Sequence, residues 1–266
     1  MCDHIALIIV LYNAEECIDD FVSSLNIQCF KKYTIFVVDN SDDDNAIKKL
    51  AALCLENKLK LNSFQMDENV GVAAANNFGI KKATEYGFSR YLVLNYDIEI
   101  KDPFFLDKII KRASEGKKLI TTPSYFYGTE DYWFGGGVFL RNKGNTQHLH
   151  FKESSDNVKL ESNTEYAPTT MMYIDKDVIE KVGYFDEDYF VYFDDSDFIF
   201  RCNKMKYQVF MENETSYYHK VSQSTGNDSC FYTYYMSRNR LIFINKNYNG
   251  IKKIVPLLYT LLTYIY

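Results

Sequence analysis

The sequence predicts an α/β protein: a mostly parallel sheet with helices on both faces, a smaller mixed sheet, and helices at the carboxyl end. Three observations predict it. Short apolar runs alternate with stretches of helical hydrophobic spacing over the first 115 residues. The second half carries shorter apolar runs around glycine-rich corners. A hydrophobic content of 47% over 266 residues is enough for a sizeable core.

The first run, "IALIIVL" (5–11), is a buried strand that ends at Tyr12-Asn13. Residues 15–26 place Cys17, Ile18, Phe21, Val22 and Leu25 at helical spacing. "YTIFVVDNSDDD" repeats the plan, with a strand over 33–38, an acidic loop, and a helix over about 45–57. A third strand near 59–65 precedes "ENVGVAAANNFGIKKA", where a helix begins after Gly71. "RYLVLNYDIEI" is a fourth strand that stops at Asn95-Tyr96-Asp97, and Pro103 opens the next helix at its first turn. Residues 131–141 and 165–175 read as strands around small-residue corners. Residues 145–164 read as an exposed polar excursion whose His148 and His150 face solvent. The acidic cluster at 194–197 opens a helix ending near Met205, and short strands follow at 208–211 and 216–218. With no repeat and no linker, residues 1–250 form one domain. Its halves are 1–100 for the nucleotide and 101–230 for the acceptor, with a basic and apolar helical segment over 228–266.

A net charge of −6 argues against a general nucleic-acid binder. The charge is uneven, because Arg238, Arg240, Lys246, Lys252 and Lys253 follow Asp228 with no further acid. Six cysteines without a CxxC pair read as reduced thiols, so the expected location is the cytoplasm. Residues 254–266 are almost wholly apolar, yet 13 residues fall short of the ~20 that span a bilayer. The chain stops inside that run, as a truncated chain would. The segment suits an interfacial helix on anionic lipid at the inner face of the plasma membrane. Packing on its own domain or on a second copy in a homo-oligomer stays open.

In parallel α/β sheets, ligands bind outside the carboxyl ends of the strands. Tyr12, Asp39 and Asp97 each follow a strand end and should share one rim. Neither GxGxxG nor GxxxxGK[ST] follows the first strand, which argues against a dinucleotide oxidoreductase and a P-loop enzyme. The polar groups after the first two strands can hydrogen-bond a base or ribose, or simply close a strand-end turn. Asp97 is placed to hold a divalent cation on a diphosphate, or to sit exposed in a turn. In "VYFDDSDFIFR", three aspartates crowd an aromatic run, and a helix cap, a metal site and a catalytic base compete to explain them. Asp197 stands four residues before Arg201, the spacing of a helical ion pair. A cap accounts for another of the three, and a base beside an acceptor hydroxyl accounts for the third.

"VLYNAEE", "VVDNSDD", "NVGVAAANNFGI", "VLNYDIE", "VGYFDEDYFVYFDDSDFIFRC" and "YYHKVSQST", in that order, resemble the family 2 inverting glycosyltransferases of GT-A fold. The similarity spans residues 5 to 245 and is strongest toward the rhamnosyltransferase-like branch of bacterial polysaccharide synthesis. It implies that Tyr12 and Asn13 hold the nucleotide and that Asp39 binds the base edge. Asn69, Gly71, Asn76 and Asn77 would line the donor side, Asn95 and Asp97 stand for the DxD metal motif, and His219 completes the metal site. Asp195 would be the base within the Asp194-Asp195 pair, Arg238 faces the diphosphate, and Trp133, Gly136 and Tyr192 lie toward the acceptor. The chain departs from the family pattern at Asn95, where Asp is usual, at Asp194, where Glu is commoner, and at Ala74 and Ala75, where glycines are frequent. The implied reaction moves a sugar from dTDP-rhamnose or a UDP-hexose to a hydroxyl of a saccharide or lipid-linked saccharide, with Mn²⁺ or Mg²⁺. A sugar-nucleotide nucleotidyltransferase and a non-catalytic sugar-binding module are the rivals; the first usually shows a glycine-rich basic loop, which is absent here.

Overall fold

A computed structural model of the chain describes residues 4–220 and 229–263. Strand β1 (Ile5–Leu11) leads through helix α1 (Ile18–Asn26) to β2 (Tyr33–Asp39), and α2 (Asn45–Glu56) crosses to β3 (Leu61–Gln65). Helix α3 (Val72–Glu85) returns the chain to β4 (Arg90–Leu94). The second half begins with β5 (Ile98–Glu99), α4 (Phe105–Ser114), β6 (Leu119–Thr121), β7 (Ser124–Phe126) and β8 (Tyr132–Phe134). It continues with β9 (Gly137–Leu140), β10 (Asn145–His148), β11 (Asn163–Thr164), β12 (Met171–Asp175) and α5 (Lys176–Val182). Helix α6 (Asp194–Lys204), β13 (Val209–Met211), β14 (Tyr217–His219), α7 (Cys230–Asn247) and α8 (Ile254–Thr263) complete the order.

The main sheet runs β11-β13-β6-β12-β4-β1-β2-β3. Strands β1 to β4 are mutually parallel where they pair, whereas β12 is antiparallel to both β4 and β6. Successive side chains of a strand point to opposite faces, and both faces are buried. Ile5, Leu7, Ile9 and Leu11 pack with α1, α2 and α4, while Ala6 and Ile8 pack with α3, α5 and α6. That two-sided burial explains why β1 and β2 read as unbroken apolar runs. Four strands, β5-β14-β7-β8, form a second sheet, and β9 and β10 pair as a hairpin.

Residues 145–164 differ from the expected exposed excursion. Strand β10 pairs with β9, β11 joins the main sheet at β13, and His148 packs against the rings of Trp133, Phe134 and Tyr166. The polar sequence "NTQH" concealed this, because main-chain pairing requires no apolar side chain. At the other end, α8 buries Pro256 and Thr260 and leaves Ile254, Val255, Leu258, Leu261 and Leu262 exposed. Among the described residues, no helix is long and apolar enough to cross a membrane. Residues 264–266 of the expected interfacial segment, and 221–228 after His219, lie outside the described residues.

Candidate active site

Parallel register brings the strand ends together: Leu11 sits beside Asp39, Asp39 beside Gln65, and Ile9 beside Leu94. Beyond them the loops interlock. The Asn40 N–H donates to Leu11 O (2.9 Å), Asn13 N–H to Ser41 Oγ (2.9 Å), and the Tyr96 hydroxyl to Tyr12 O (2.9 Å). Asp39 is fully buried; its Oδ1 accepts the Ser41 N–H at 2.9 Å, and its Oδ2 has no partner. An orphaned buried carboxylate oxygen suits a donor group supplied by a ligand, such as the N–H edge of a base. Tyr12 stays exposed at the same rim. Gly71, at φ +84°, lies so close to Phe190 that a Cβ would meet the Phe190 carbonyl at 2.4 Å. Its N–H donates to Asn69 Oδ1 at 3.0 Å, and its carbonyl accepts Asn40 Nδ2 at 3.2 Å. Gly71 therefore joins the first-half rim to the loop that leads into α6.

Asp97 and His219 meet because β5 pairs antiparallel with β14, putting Ile98 opposite His219. Asp97 Oδ2 lies 3.3 Å from His219 Nε2, and Asp97 Oδ1 and His219 Nδ1 are buried without partners. Burial, the largest single influence, pushes the Asp97 carboxyl upward, but His219, Asn95 and its own backbone N–H together outweigh it and hold the group below its usual range. A carboxylate and an imidazole with unused buried atoms fit a divalent cation whose other ligands come from a diphosphate and water. Among the described residues, no group of three or more His, Cys, Asp and Glu side chains converges as a metal cage. Asn95 sits between β4 and Asp97, its N–H donating to Thr170 O at 3.0 Å.

The aspartate cluster resolves into three environments. Asp197 is structural, with Oδ2 accepting Arg201 Nε at 2.7 Å and Oδ1 accepting Asn247 Nδ2 at 2.6 Å. Asp194 is 3% exposed, and its Oδ2 has no partner. Asp195 keeps partial access to solvent and accepts three donors: Tyr166 OH on Oδ2 (2.6 Å), and Ser196 N–H (2.5 Å) and Ser196 Oγ (3.1 Å) on Oδ1. Burial raises both carboxyls above the usual range, and mutual repulsion adds to the effect at Asp194. The two differ in what stabilises a negative charge. Asp194 has an unpartnered, closed-off oxygen and backbone contacts that only partly offset its burial, while Tyr166 and Ser196 donors pull against the upward shift of Asp195. The expected capping role is corrected: the residue preceding α6 is Phe193, at φ +68°, with no side-chain cap bond. Tyr192 is also left-handed, at φ +62°, and its ring packs edge-on against Tyr232. Asn239, fully buried on α7, holds this turn by donating to Val191 O (2.7 Å) and Tyr192 O (2.9 Å).

Trp133 connects the two acidic sites. Its ring centroid lies 4.2 Å from that of His219 and 4.6 Å from that of His148, and His148 stacks on Tyr166 at 5.9 Å. Burial first, with a smaller contribution from His219, pushes the His148 imidazole down to about 4, so it is neutral near pH 7. Gly136 turns the chain between β8 and β9 at φ +122°.

A chain with this rim, this acid pair and this sheet has known relatives. The sequence profile described as "Glycosyl transferase family 2" matches residues 6–183, about two thirds of the chain. The chain belongs to glycosyl transferase family 2. It is 25% identical over 268 residues to the dTDP-rhamnosyl transferase RfbF of Shigella flexneri, covering 97% of this chain and 83% of that protein. It is also 25% identical over 273 residues to the low-salt glycan biosynthesis hexosyltransferase Agl10 of Haloferax volcanii, covering 99% of this chain and 82% of that one. Among solved structures, the mannosyltransferase PcManGT of Pyrobaculum calidifontis, in complex with GDP-Man and Mn²⁺, superposes with a TM-score of 0.64 at 14% identity. That superposition covers 97% of this chain and 68% of the other, and it supports the GT-A fold.

Several residues take roles in this family 2 chain that differ from those expected. Asn77 clamps α3 to the chain before α6, donating to Phe185 O (2.9 Å) and Glu187 Oε1 (2.8 Å) and accepting from Phe185 N (3.0 Å). Its amide is committed to these packing contacts, and Asn76 is buried beside it in α3. Arg238 donates to Asp188 O (2.9 Å) and Asn239 Oδ1 (2.7 Å), so it braces the same segment. Tyr166 and Asn239 escaped the sequence reading, and His148, expected to face solvent, is packed among aromatic rings instead. The only signal for Asn239 was its place in "SRNR", directly after Arg238.

Proposed function

We propose that the protein transfers a glycosyl group, with inversion, from a nucleoside-diphosphate sugar to a hydroxyl of a growing bacterial surface saccharide, free or lipid-linked. dTDP-rhamnose and UDP-hexoses are the favoured donors, in keeping with the dTDP-rhamnosyl and hexosyl transferases to which the chain is similar. The observation that carries the reading is the unequal acid pair: a closed Asp194 with an unpartnered oxygen beside a partly open Asp195 held by Tyr166 and Ser196.

Tyr12, Asn13 and Asp39 would hold the nucleoside at the strand-end rim. Asp97 and His219 would hold Mn²⁺ or Mg²⁺, the imidazole favouring Mn²⁺. When bound there, the cation supplies charge neutralisation for the leaving diphosphate. Asp195 would take the proton of the acceptor hydroxyl as that oxygen attacks the anomeric carbon from the face opposite the diphosphate. Trp133, beside His219, offers the acceptor a flat face. The exposed apolar side of α8, next to five basic residues and no acidic ones after Asp228, supports a place at an anionic membrane surface facing the cytoplasm.

The test is incubation with a panel of nucleotide sugars and Mn²⁺, following nucleoside diphosphate release. Release with one or a few donors, stimulated by a saccharide acceptor, is the expected result. A chain that binds sugars and releases no diphosphate would be a binding module instead.

A further inference from the structure

Tyr166 lies in the segment that enters β12 and is almost fully buried. Its position is fixed on all sides. The Tyr166 N–H donates to Gly137 O at 3.1 Å, and Thr164 Oγ1 donates to Tyr166 O at 2.9 Å. The ring packs edge-on against Phe134 and Phe139 and stacks on His148. Clearance is narrow, since a Cβ on Gly137 would lie 2.5 Å from Tyr166 Cδ1. A ring held so firmly aims its hydroxyl at Asp195 Oδ2, at 2.6 Å, with the Thr146 side chain beside that hydroxyl.

Counting lone pairs shows what that contact does. A carboxylate oxygen has two acceptor sites. Asp195 Oδ1 already accepts the Ser196 N–H and the Ser196 hydroxyl, so both of its sites are filled. Oδ2 accepts Tyr166 and has one site left. We propose that Tyr166 is the positioning residue of the catalytic base, locking the carboxylate so that the remaining lone pair of Asp195 Oδ2 receives the acceptor's proton. The inference rests on reading Asp195 as the base. In the proton transfer, the acceptor O–H bond breaks, an O–H bond forms on Oδ2, and the acceptor oxygen's electron pair forms the new glycosidic bond as the bond from the anomeric carbon to the diphosphate breaks and its electron pair leaves with the nucleoside diphosphate. The titratable groups facing Asp195 are Asp194 on its own helix and Tyr166 from the β12 side. Burial and the neighbouring aspartates keep the Tyr166 phenol protonated, so it stays a donor across the working pH range.

The experiment compares Tyr166→Phe, Tyr166→His, Asp195→Asn and the Tyr166→Phe/Asp195→Asn double variant in kcat, donor KM, the pH profile of kcat and melting temperature. Tyr166→Phe keeps the packed ring and loses only the donor. A hydrogen bond to a charged group accounts for about 10- to 100-fold, so kcat should fall by about that factor with donor KM unchanged. The acid limb of the profile should move to higher pH, because the ionised carboxylate has lost a donor. Tyr166→His, which restores a ring N–H, should recover part of kcat. The double variant should be no slower than Asp195→Asn alone. A Tyr166→Phe enzyme with unchanged kcat and an unmoved acid limb, beside an inactive Asp195→Asn, would overturn the positioning role and leave the base intact. A lowered melting temperature with an unmoved limb would overturn it equally, showing packing alone. An active Asp195→Asn would overturn both readings.

Discussion

Two neighbouring carboxyls with different surroundings, one closed off and one held by Tyr166 and Ser196, should separate cleanly on substitution. Asp195→Asn keeps the shape and removes the proton acceptor, so turnover should fall about 10²- to 10⁴-fold with donor affinity little changed, measured by steady-state kinetics and nucleotide titration. Asp194→Asn should keep most of the turnover and change the pH dependence of stability instead. An acid whose folded pKa is raised binds its proton more tightly in the native state. Its contribution is full below the unfolded value near about 4 and is lost as pH rises through the raised value. Melting temperatures across that range should therefore fall less steeply in Asp194→Asn than in the parent. Asp197 shows where spacing alone misleads. The i,i+4 relation to Arg201 was legible, and an exposed pair of that kind is worth about 0.3–0.5 kcal/mol. The carboxylate is instead 1% exposed and also held by Asn247. Asp197→Ala should cost about 3 kcal/mol in urea unfolding, near the low end for breaking a buried pair, since Arg201 keeps Val182 O and Tyr184 O as partners.

At the scale of elements, the first four strands and three helices were legible because two-sided burial writes continuous apolar runs and helical spacing into the chain. Tyr12, Asp39 and Asp97 were legible as rim residues because parallel strands all deliver the residues after their carboxyl ends to one edge of the sheet. Strand β12 runs the other way, with Met171 beside Leu94, so it brings to that same rim the residues that precede it. Tyr166 was missed for that reason. Strand β10 was missed because its side chains are polar, and the burial of His148 with it. The left-handed pair Tyr192-Phe193 has no glycine to announce it, and its support comes from Asn239, 47 residues further along the chain from Tyr192. Removing that amide takes the Asn239 donor from two part-buried carbonyls, at about 1–3 kcal/mol. Asn239→Ala should lower both the melting temperature and kcat, while nucleotide affinity at the far side of the rim holds. For α8, deletion of residues 250–266 should abolish flotation with anionic liposomes and leave transfer to a soluble acceptor intact. Flotation indifferent to the deletion would instead assign that face to protein packing.

Over the whole molecule, the strand-end rim of the first half and the strands of the second half meet through the second sheet. Pairing of β5 with β14 puts Asp97 and His219 together across more than 120 residues of chain, a proximity that no local pattern encodes. Asp97→Ala, or excess chelator, should abolish transfer and weaken nucleotide binding in the presence of Mn²⁺. His219→Ala should lose less, because water can replace one ligand of several. Full activity in chelator would remove the metal from the mechanism.

The bracing by α7 of the turn that bears Asp195 has a consequence for how the enzyme comes into being. Asn239 holds residues 191 and 192, Asn247 holds Asp197, and Lys246 pairs with Asp186 and Asp188. Protein chains emerge from the ribosome amino end first, and early segments can fold while later ones are still being made. Strands β1 to β4 can thus assemble their strand-end rim on a nascent chain, whereas the turn bearing Asp195 waits for residues 239–247, which emerge later. A ribosome-bound intermediate arrested before residue 239 should capture nucleotide yet turn over no sugar, so that donor binding precedes catalytic competence during biosynthesis itself.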